Sequence, residues 1–118
     1  MPRYIDSFVI PVPKKNLKAY RSMAKISAKA WIKAGALEYV ETLADDVAKG
    51  KVTSFPRSVM LKSGEQLVFG YVVYKSRAHR NSVMAKVYKD ESLMKCWNTM
   101  PFDGMRMIWG GFKSFISA

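Results

Sequence analysis

The sequence predicts an α+β fold in which two helices cover one face of a four-stranded antiparallel sheet. Apolar residues alternate with a period of two in four segments and recur at helical spacing in two others, in the order strand, helix, strand, strand, helix, strand. In addition, the last two strand segments are apolar on both faces, and helices on one side cannot cover both. A chain of 118 residues predicts a single domain spanning residues 1–118.

The first predicted strand runs from Tyr4 to Ile10, and a helix follows from Asn16 to Lys33. The strand is rich in β-formers and is expected to end at Pro11-Val12-Pro13, because proline has no amide proton for a sheet hydrogen bond. Gly35 follows the helix at the position where a helix end favours a positive φ angle. The apolar stripe of the helix consists of Leu17, Tyr20, Ala24, Ala28 and Trp31.

A second strand is predicted over residues 36–43, where Tyr39 and Glu41 share one face. A long connection follows, rich in turn-forming residues, within which a short strand is expected. The third strand, Gln66 to Lys75, alternates between two apolar faces. One face carries Leu67, Phe69, Tyr71 and Val73, and the other carries Val68, Val72 and Tyr74.

Ser76 is a candidate N-cap for a second helix that extends to about Asp90, with Val83 and Val87 facing the sheet. The last strand is predicted from about Arg106 to Ile116. This order of elements is that of the ferredoxin-like fold. An apolar sheet face without covering helices would exceed the few hundred Å² that monomers usually expose. The sequence therefore predicts a homodimer in which two protomers pack sheet to sheet.

The composition indicates a basic cytoplasmic protein. Twenty Lys and Arg against nine Asp and Glu give a net charge of +11, which is compatible with nucleic acid or other anionic partners. No apolar run is long enough to cross a membrane, and the opening residues MPRYIDSFVI do not resemble a secretion signal. The single cysteine, Cys96, cannot form an internal disulfide, which is typical of a reducing compartment.

The segment MPFDGMRMIWGGF, residues 100–112, is predicted to contain a turn and a strand rather than a phosphate-binding loop, because its glycines lie inside an alternating run. Together with FVIPVPKKNLKAYR, GALEYVE, DDVAKGKVTSFP and VVYKSRAHRN, it resembles the YbaA-like family of small bacterial domains of unknown function. The resemblance implies a ferredoxin-like protomer that forms a dimeric α/β barrel. That superfamily includes antibiotic-biosynthesis monooxygenases, haem-degrading enzymes and stress-response proteins. The family has also been connected with the RNA of the signal recognition particle.

Three side chains are candidates for acid–base catalysis: Asp6, Glu41 and His79. Asp6 and Glu41 lie on predicted strands among apolar neighbours, where burial would raise a carboxyl pKa and favour proton transfer beside a carbonyl. The alternative is that either pairs with Arg106 or another base, or lies at the sheet edge. His79 is the only histidine and titrates near neutral pH, although it also suits a capping role at the start of the second helix. A metal site is not expected, because His79 has no neighbouring His or Cys.

A cavity between helices and sheet is the candidate ligand site, and its predicted lining is aromatic. The same side chains would also suit an ordinary core. The leading hypothesis is a dimeric barrel that binds a small molecule, as a cofactor-independent oxygenase or isomerase acting on an aromatic compound, with no cofactor. The predicted lining consists of Trp31, Tyr39, Phe69, Tyr71, Met107 and Trp109.

A basic stripe on the first helix supports a different hypothesis. Its members recur every three or four residues with no acid among them, so they could follow the phosphates of RNA or bind another anion. The alternative is a solvated helix face, and a structural, stress-associated dimer without chemistry is a third possibility. The stripe consists of Lys18, Arg21, Lys25 and Lys29.

Overall fold

The computed structural model describes residues 2–118, which form a four-stranded antiparallel sheet. Numbered along the chain, its strands lie side by side in the order second, third, first, fourth. This is the predicted ferredoxin-like arrangement, and the fold prediction is confirmed. The elements in chain order are β1 (Tyr4–Pro13), α1 (Leu17–Ala34), β2 (Glu38–Leu43), α2 (Phe55–Ser58), β3 (Glu65–Tyr74), α3 (Arg77–Val87), α4 (Glu91–Trp97) and β4 (Ile108–Lys113).

The strand register assigns every residue of the sheet to one of two faces. Asp6 lies opposite Val72 of β3 and Gly111 of β4, and Glu41 lies opposite Gly70. These residues point towards the helices, as do Ile10, Val12, Val68 and Tyr74, which are buried in the core beneath α1, α3 and α4. We call this the inner face and the opposite side the outer face.

Glycine on the inner face makes room for aromatic rings. A Cβ atom on Gly70 would collide with the ring of Phe8, and one on Gly111 would collide with the ring of Tyr4. Neither glycine has a positive φ angle, so space rather than backbone conformation explains both residues. The predicted strand through Gly110 and Gly111 is confirmed. The close neighbour of Gly111 is a side chain, not the second backbone that a glycine in a strand often accommodates.

Both predicted helix-end signals are present. Gly35 has a φ angle of +117° at the end of α1, and the Ser76 hydroxyl accepts a hydrogen bond from the His79 amide at the start of α3. The predicted second helix was too long, however. It ends at Val87, and Asp90 begins the separate helix α4 by accepting a hydrogen bond from the Leu93 amide.

Several other predicted boundaries were wrong. β1 continues through Pro13, because β4 pairs with it only as far as Val9 and residues 10–13 have a neighbouring strand on one side only. β2 begins at Glu38, and β4 covers only Ile108–Lys113. The connection between β2 and β3 contains the short helix α2 instead of a strand, since the Ser54 hydroxyl caps the Phe55–Ser58 turn. This connection places Val59 against Val9 and Leu67 and so covers one end of the outer face.

Arg106 fastens the segment before β4 to the sheet. Its guanidinium donates to both carboxylate oxygens of Glu65, to the Asp103 carboxylate and to the Met60 carbonyl. Asp103 also accepts a hydrogen bond from the Met105 amide, which confirms its predicted role in the turn. Residues 100–109 are thereby held at the edge of the inner face.

This arrangement predicts acid-sensitive stability. The hydrogen bonds from Arg106 lower the pKa of Glu65 and of Asp103 in the folded protein. The stabilisation that these carboxylates give the folded protein is therefore complete above about pH 4.5, and it is lost as the pH falls through their lowered folded-state pKa values. We expect Arg106→Gln to lower the unfolding free energy at neutral pH and to reduce its loss between neutral and acidic pH. Urea unfolding at a series of pH values measures both effects, and an unchanged acid dependence would contradict this role for Arg106.

Candidate functional site

A cavity of about 230 Å³ lies between the inner face and the helices. Its walls are mostly apolar and aromatic, with a few polar groups, which is the usual character of a small-molecule site. All three tryptophans of the chain line it. The aromatic part of the wall consists of Phe8, Tyr20, Trp31, Tyr39, Tyr74, Tyr88, Trp97, Phe102 and Trp109.

Asp6 projects into this cavity from β1. Its Oδ1 atom is buried and has no hydrogen-bond partner among residues 2–118, and neither has Nε of Arg80, which lies 3.9 Å away. Burial raises the pKa of Asp6, against the opposing effects of the Arg80 charge and the Tyr74 hydroxyl. Asp6 is therefore a stronger base than an ordinary aspartate.

Arg80 is held beside Asp6 by Tyr4. The guanidinium donates a hydrogen bond of 3.1 Å to the Tyr4 hydroxyl and lies 5.1 Å from the centre of the Tyr4 ring. The Tyr4 ring occupies this position because Gly111 has no side chain in its way. A glycine of β4 thus positions an arginine of α3 through a tyrosine of β1.

Tyr74 adds a proton donor to the same end of the cavity. Its oxygen accepts a hydrogen bond of 2.9 Å from the Trp31 indole, which leaves its own proton available. Burial and the Asp6 charge raise the pKa of Tyr74, so the hydroxyl stays protonated. A carboxylate and a phenol proton therefore lie side by side.

Glu41 occupies a second polar position, two strands away from Asp6. Its carboxylate accepts hydrogen bonds from the Tyr20 and Tyr39 hydroxyls, the latter at 2.7 Å. Burial and the Glu41 charge raise the pKa values of both tyrosines, which keeps them protonated. Because each oxygen of the Glu41 carboxylate already accepts a hydrogen bond from a phenol, Asp6 is the better candidate base.

Of the six side chains predicted to line the cavity, four do so and two lie elsewhere. Trp31, Tyr39, Met107 and Trp109 line the cavity. Phe69 and Tyr71 do not, because they point to the outer face, where the Phe69 ring packs against Phe55. The placement of these two in the cavity was wrong, and the reason is the strict alternation of β3 about the inward-facing Gly70.

His79 also lies away from the cavity. Its Nδ1 atom accepts a hydrogen bond of 3.0 Å from the Lys75 amide, and its ring packs against the edge of Tyr74. These contacts fasten the start of α3 and occupy the basic nitrogen, so the structure assigns His79 the capping role instead of contact with a ligand. Among residues 2–118, no three His, Cys, Asp or Glu side chains are grouped so as to hold a metal ion.

The sequence reasoning missed several cavity residues. Phe102 and Met100 come from the segment held by Arg106, and Trp97 comes from α4, whose existence was not predicted. Tyr20 carried a usable signal, because it belongs to the predicted apolar stripe of α1, whereas Tyr74 lies on the face of β3 opposite to that of Phe69 and Tyr71. Trp109 is 67% exposed and stands at the mouth of the cavity.

The basic stripe lies on the surface as predicted. All four of its members are exposed, and Lys18, Arg21 and Lys25 border a separate groove between α1 and β2. Lys29 does not contribute to that groove. In the part of the chain that the structure describes, no helix is long and apolar enough to cross a membrane.

Solved structures with the same fold include an assigned antibiotic biosynthesis monooxygenase from Nitrosomonas europaea. It is 11% identical and has a TM-score of 0.58, with 96% of this chain and 90% of the other covered. A dimeric ferredoxin-like protein from an uncultured marine organism is also 11% identical with a TM-score of 0.58, covering 100% and 98% of the two chains. At this identity the likeness concerns the fold alone.

Sequence relatives are much closer. The uncharacterised protein YbaA of Escherichia coli K12 is 41% identical over 114 residues, which cover 97% of each chain, and YbaA of Shigella flexneri matches equally well. The model of a family described as a protein of unknown function, DUF1428, matches residues 3–104. The chain therefore belongs to the DUF1428 family, together with the YbaA proteins.

Proposed function

We propose that the cavity binds a small aromatic compound with an acidic C–H bond next to a carbonyl, and that Asp6 exchanges a proton with it. The observation that carries the proposal is the Asp6 carboxylate itself, which is partly desolvated, has no hydrogen-bond partner at Oδ1 within residues 2–118, with Arg80 3.9 Å away, and faces an aromatic cavity. Perturbed carboxylates in clefts are typical of proton-transfer sites.

The proton transfer requires only groups of this chain, and the oxygenase alternative also consumes O₂. The Asp6 carboxylate removes the proton, and the electron pair of the C–H bond moves to the carbonyl oxygen to give an enolate. Tyr74, which keeps its proton, donates a hydrogen bond to that oxygen. Return of the proton to another carbon gives an isomer, and reaction of the enolate with O₂ would give an oxygenated product without a bound cofactor. Isomerase and cofactor-independent oxygenase activities are therefore the two candidates.

Deuterium exchange tests this proposal without knowledge of the natural substrate. The probe is β-tetralone, which has a C–H bond between an aromatic ring and a carbonyl, and exchange in D₂O is followed by proton NMR. We expect saturable acceleration by the wild-type protein and loss of acceleration in Ser27→Leu, because Ser27 is a buried residue of the cavity wall.

Ser22→Leu is the matched control, since Ser22 lies on the exposed side of the same helix. Thermal unfolding establishes that both variants fold. Exchange at the uncatalysed rate in the wild-type protein, or an equal loss in both variants, would contradict the proposal.

We also propose that the protein is a homodimer formed through the outer face. Phe69, Ile108 and Phe112 project from that face with exposed fractions of 36%, 44% and 59%. Its charged strand residues within residues 2–118 are Glu38 and Glu65, and the charge of Glu65 is paired with Arg106. A dimeric protein with the same fold supports a second copy as the partner. Such a dimer would cover the part of the outer face that the β2–β3 connection leaves open.

A further inference from the structure

A second depression, the α1–β2 groove, adjoins the cavity and shares Tyr20, Tyr39 and Glu41 with its lining. It has a volume of about 420 Å³ and runs between α1 and the edge strand β2. Its size lies in the range of small-molecule sites. The proposed function makes no use of it.

The groove combines an apolar floor with a cationic rim. The rim consists of Lys18, Arg21 and Lys25, which follow one side of α1 at intervals of three and four residues. Leu43 on the opposite wall is 44% exposed, so apolar surface is open to solvent there. The apolar members of the floor and walls are Leu17, Ala24, Ala28, Leu43 and Val68.

The rim charges are available to a ligand. None of the three cations forms an ion pair with an acidic side chain in the described residues, and neither α1 nor the turn before it contains an acid. Glu41 is the one acid bordering the groove among residues 2–118, and the two tyrosine hydroxyls already bind its carboxylate. The groove therefore favours negative charge at its rim.

We propose that the α1–β2 groove binds an amphipathic organic anion, with its apolar body on the floor and its carboxylate or phosphate at the cationic rim. An inorganic anion would leave the floor unused. A nucleic acid would contact the rim but would place no apolar body against Leu43 and Val68. The combination of floor and rim thus fits a single-headed amphiphile best.

Binding of decanoate tests the site. We expect calorimetry at low ionic strength to detect decanoate binding to the full chain and at least about tenfold weaker binding of decanol, which has no charge. The triple variant Lys18→Gln/Arg21→Gln/Lys25→Gln should weaken decanoate binding about tenfold, because each exposed charge contact contributes about twofold or more.

The matched control is Lys15→Gln/Lys29→Gln/Lys33→Gln, which removes the same charge from exposed positions outside the groove. It should weaken binding less than about threefold, through the loss of general positive charge alone. Ser27→Leu, which fills the cavity, should leave decanoate binding unchanged, so a failure of the proposed cavity function does not affect this test.

Vesicles of phosphatidylglycerol distinguish the source of the anion. If they sediment the protein and only the groove variant reduces sedimentation, the ligand is a membrane lipid and the site stands. If decanoate binds and vesicles do not, the ligand is a free amphiphile and the site also stands. The proposal would be overturned if decanol bound as tightly as decanoate, if the two triple variants had equal effects, or if Ser27→Leu abolished decanoate binding. It would also be overturned if an oligouridylate bound more tightly than decanoate and both triple variants weakened that binding equally.

Discussion

Replacement of Asp6 by asparagine is expected to slow protein-catalysed deuterium exchange of β-tetralone by at least about 100-fold, the usual contribution of a general base. Asparagine keeps the shape of the side chain but cannot accept the proton. The cavity walls and the Tyr74 hydroxyl remain, so β-tetralone should still bind with little change in affinity. Exchange followed by proton NMR over a range of probe concentrations separates the two effects.

Asp45→Asn is the matched control, because it removes one carboxylate from an exposed position in the β2–β3 connection. It should leave the exchange rate unchanged. If Asp6→Asn catalyses deuterium exchange of β-tetralone as fast as the wild-type protein does, Asp6 is not the base, whatever occupies the cavity.

The same reaction should depend on pH in a defined direction. Only the ionised carboxylate accepts a proton, so the rate should be high at neutral pH and should fall as the pH falls through the pKa of Asp6. Because burial raises that pKa, the midpoint should lie above the ordinary value of 3.8. A midpoint at or below this value in a rate-against-pH profile would contradict the desolvated environment described above.

Negative charge placed on the outer face should prevent formation of the homodimer. The double variant Ile108→Glu/Phe112→Glu should weaken homodimer formation by at least about 100-fold, because it would bury two charges on each side of the interface. Both residues belong to β4 and are substantially exposed in the protomer, so the protomer itself should fold. Sedimentation equilibrium should give twice the 13.4 kDa chain mass for the wild-type protein and the chain mass for the variant.

The control Ile32→Glu/Leu37→Glu introduces the same two charges at apolar residues that do not lie on the outer face and are 49% and 46% exposed. This variant should remain dimeric. A wild-type protein that stays monomeric at high concentration would contradict the proposed interface, and so would equal dissociation of both variants.

Local patterns were sufficient to predict the sheet, the two main helices and the placement of Asp6 and Glu41 on strand faces shared with apolar residues. Strand alternation fixes relative faces, and Ser76 and Gly35 carry chemical signals for helix ends. The same alternation could not assign Phe69 and Tyr71, because a strand that is apolar on both sides does not show which side meets the helices.

Contacts between distant parts of the chain were not predictable from these patterns. The position of Arg80 depends on a ring 76 residues away, which in turn depends on the missing side chain of Gly111. Likewise, Met100 and Phe102 reach the cavity because Arg106 binds Glu65, which lies 41 residues earlier. Neither arrangement leaves a periodic signal in the sequence.

The indole NMR signals of the three tryptophans report whether a small aromatic ligand binds in the cavity, since Trp31, Trp97 and Trp109 all line it. Single Trp→Phe variants assign the signals, and ¹⁵N-labelled protein is then titrated with β-tetralone. A ligand in the cavity should shift the Trp31 and Trp97 signals together and saturably, and Ser27→Leu should abolish both shifts. If β-tetralone shifts neither signal in the wild-type protein, or if both shifts persist unchanged in Ser27→Leu, the cavity is not the binding site.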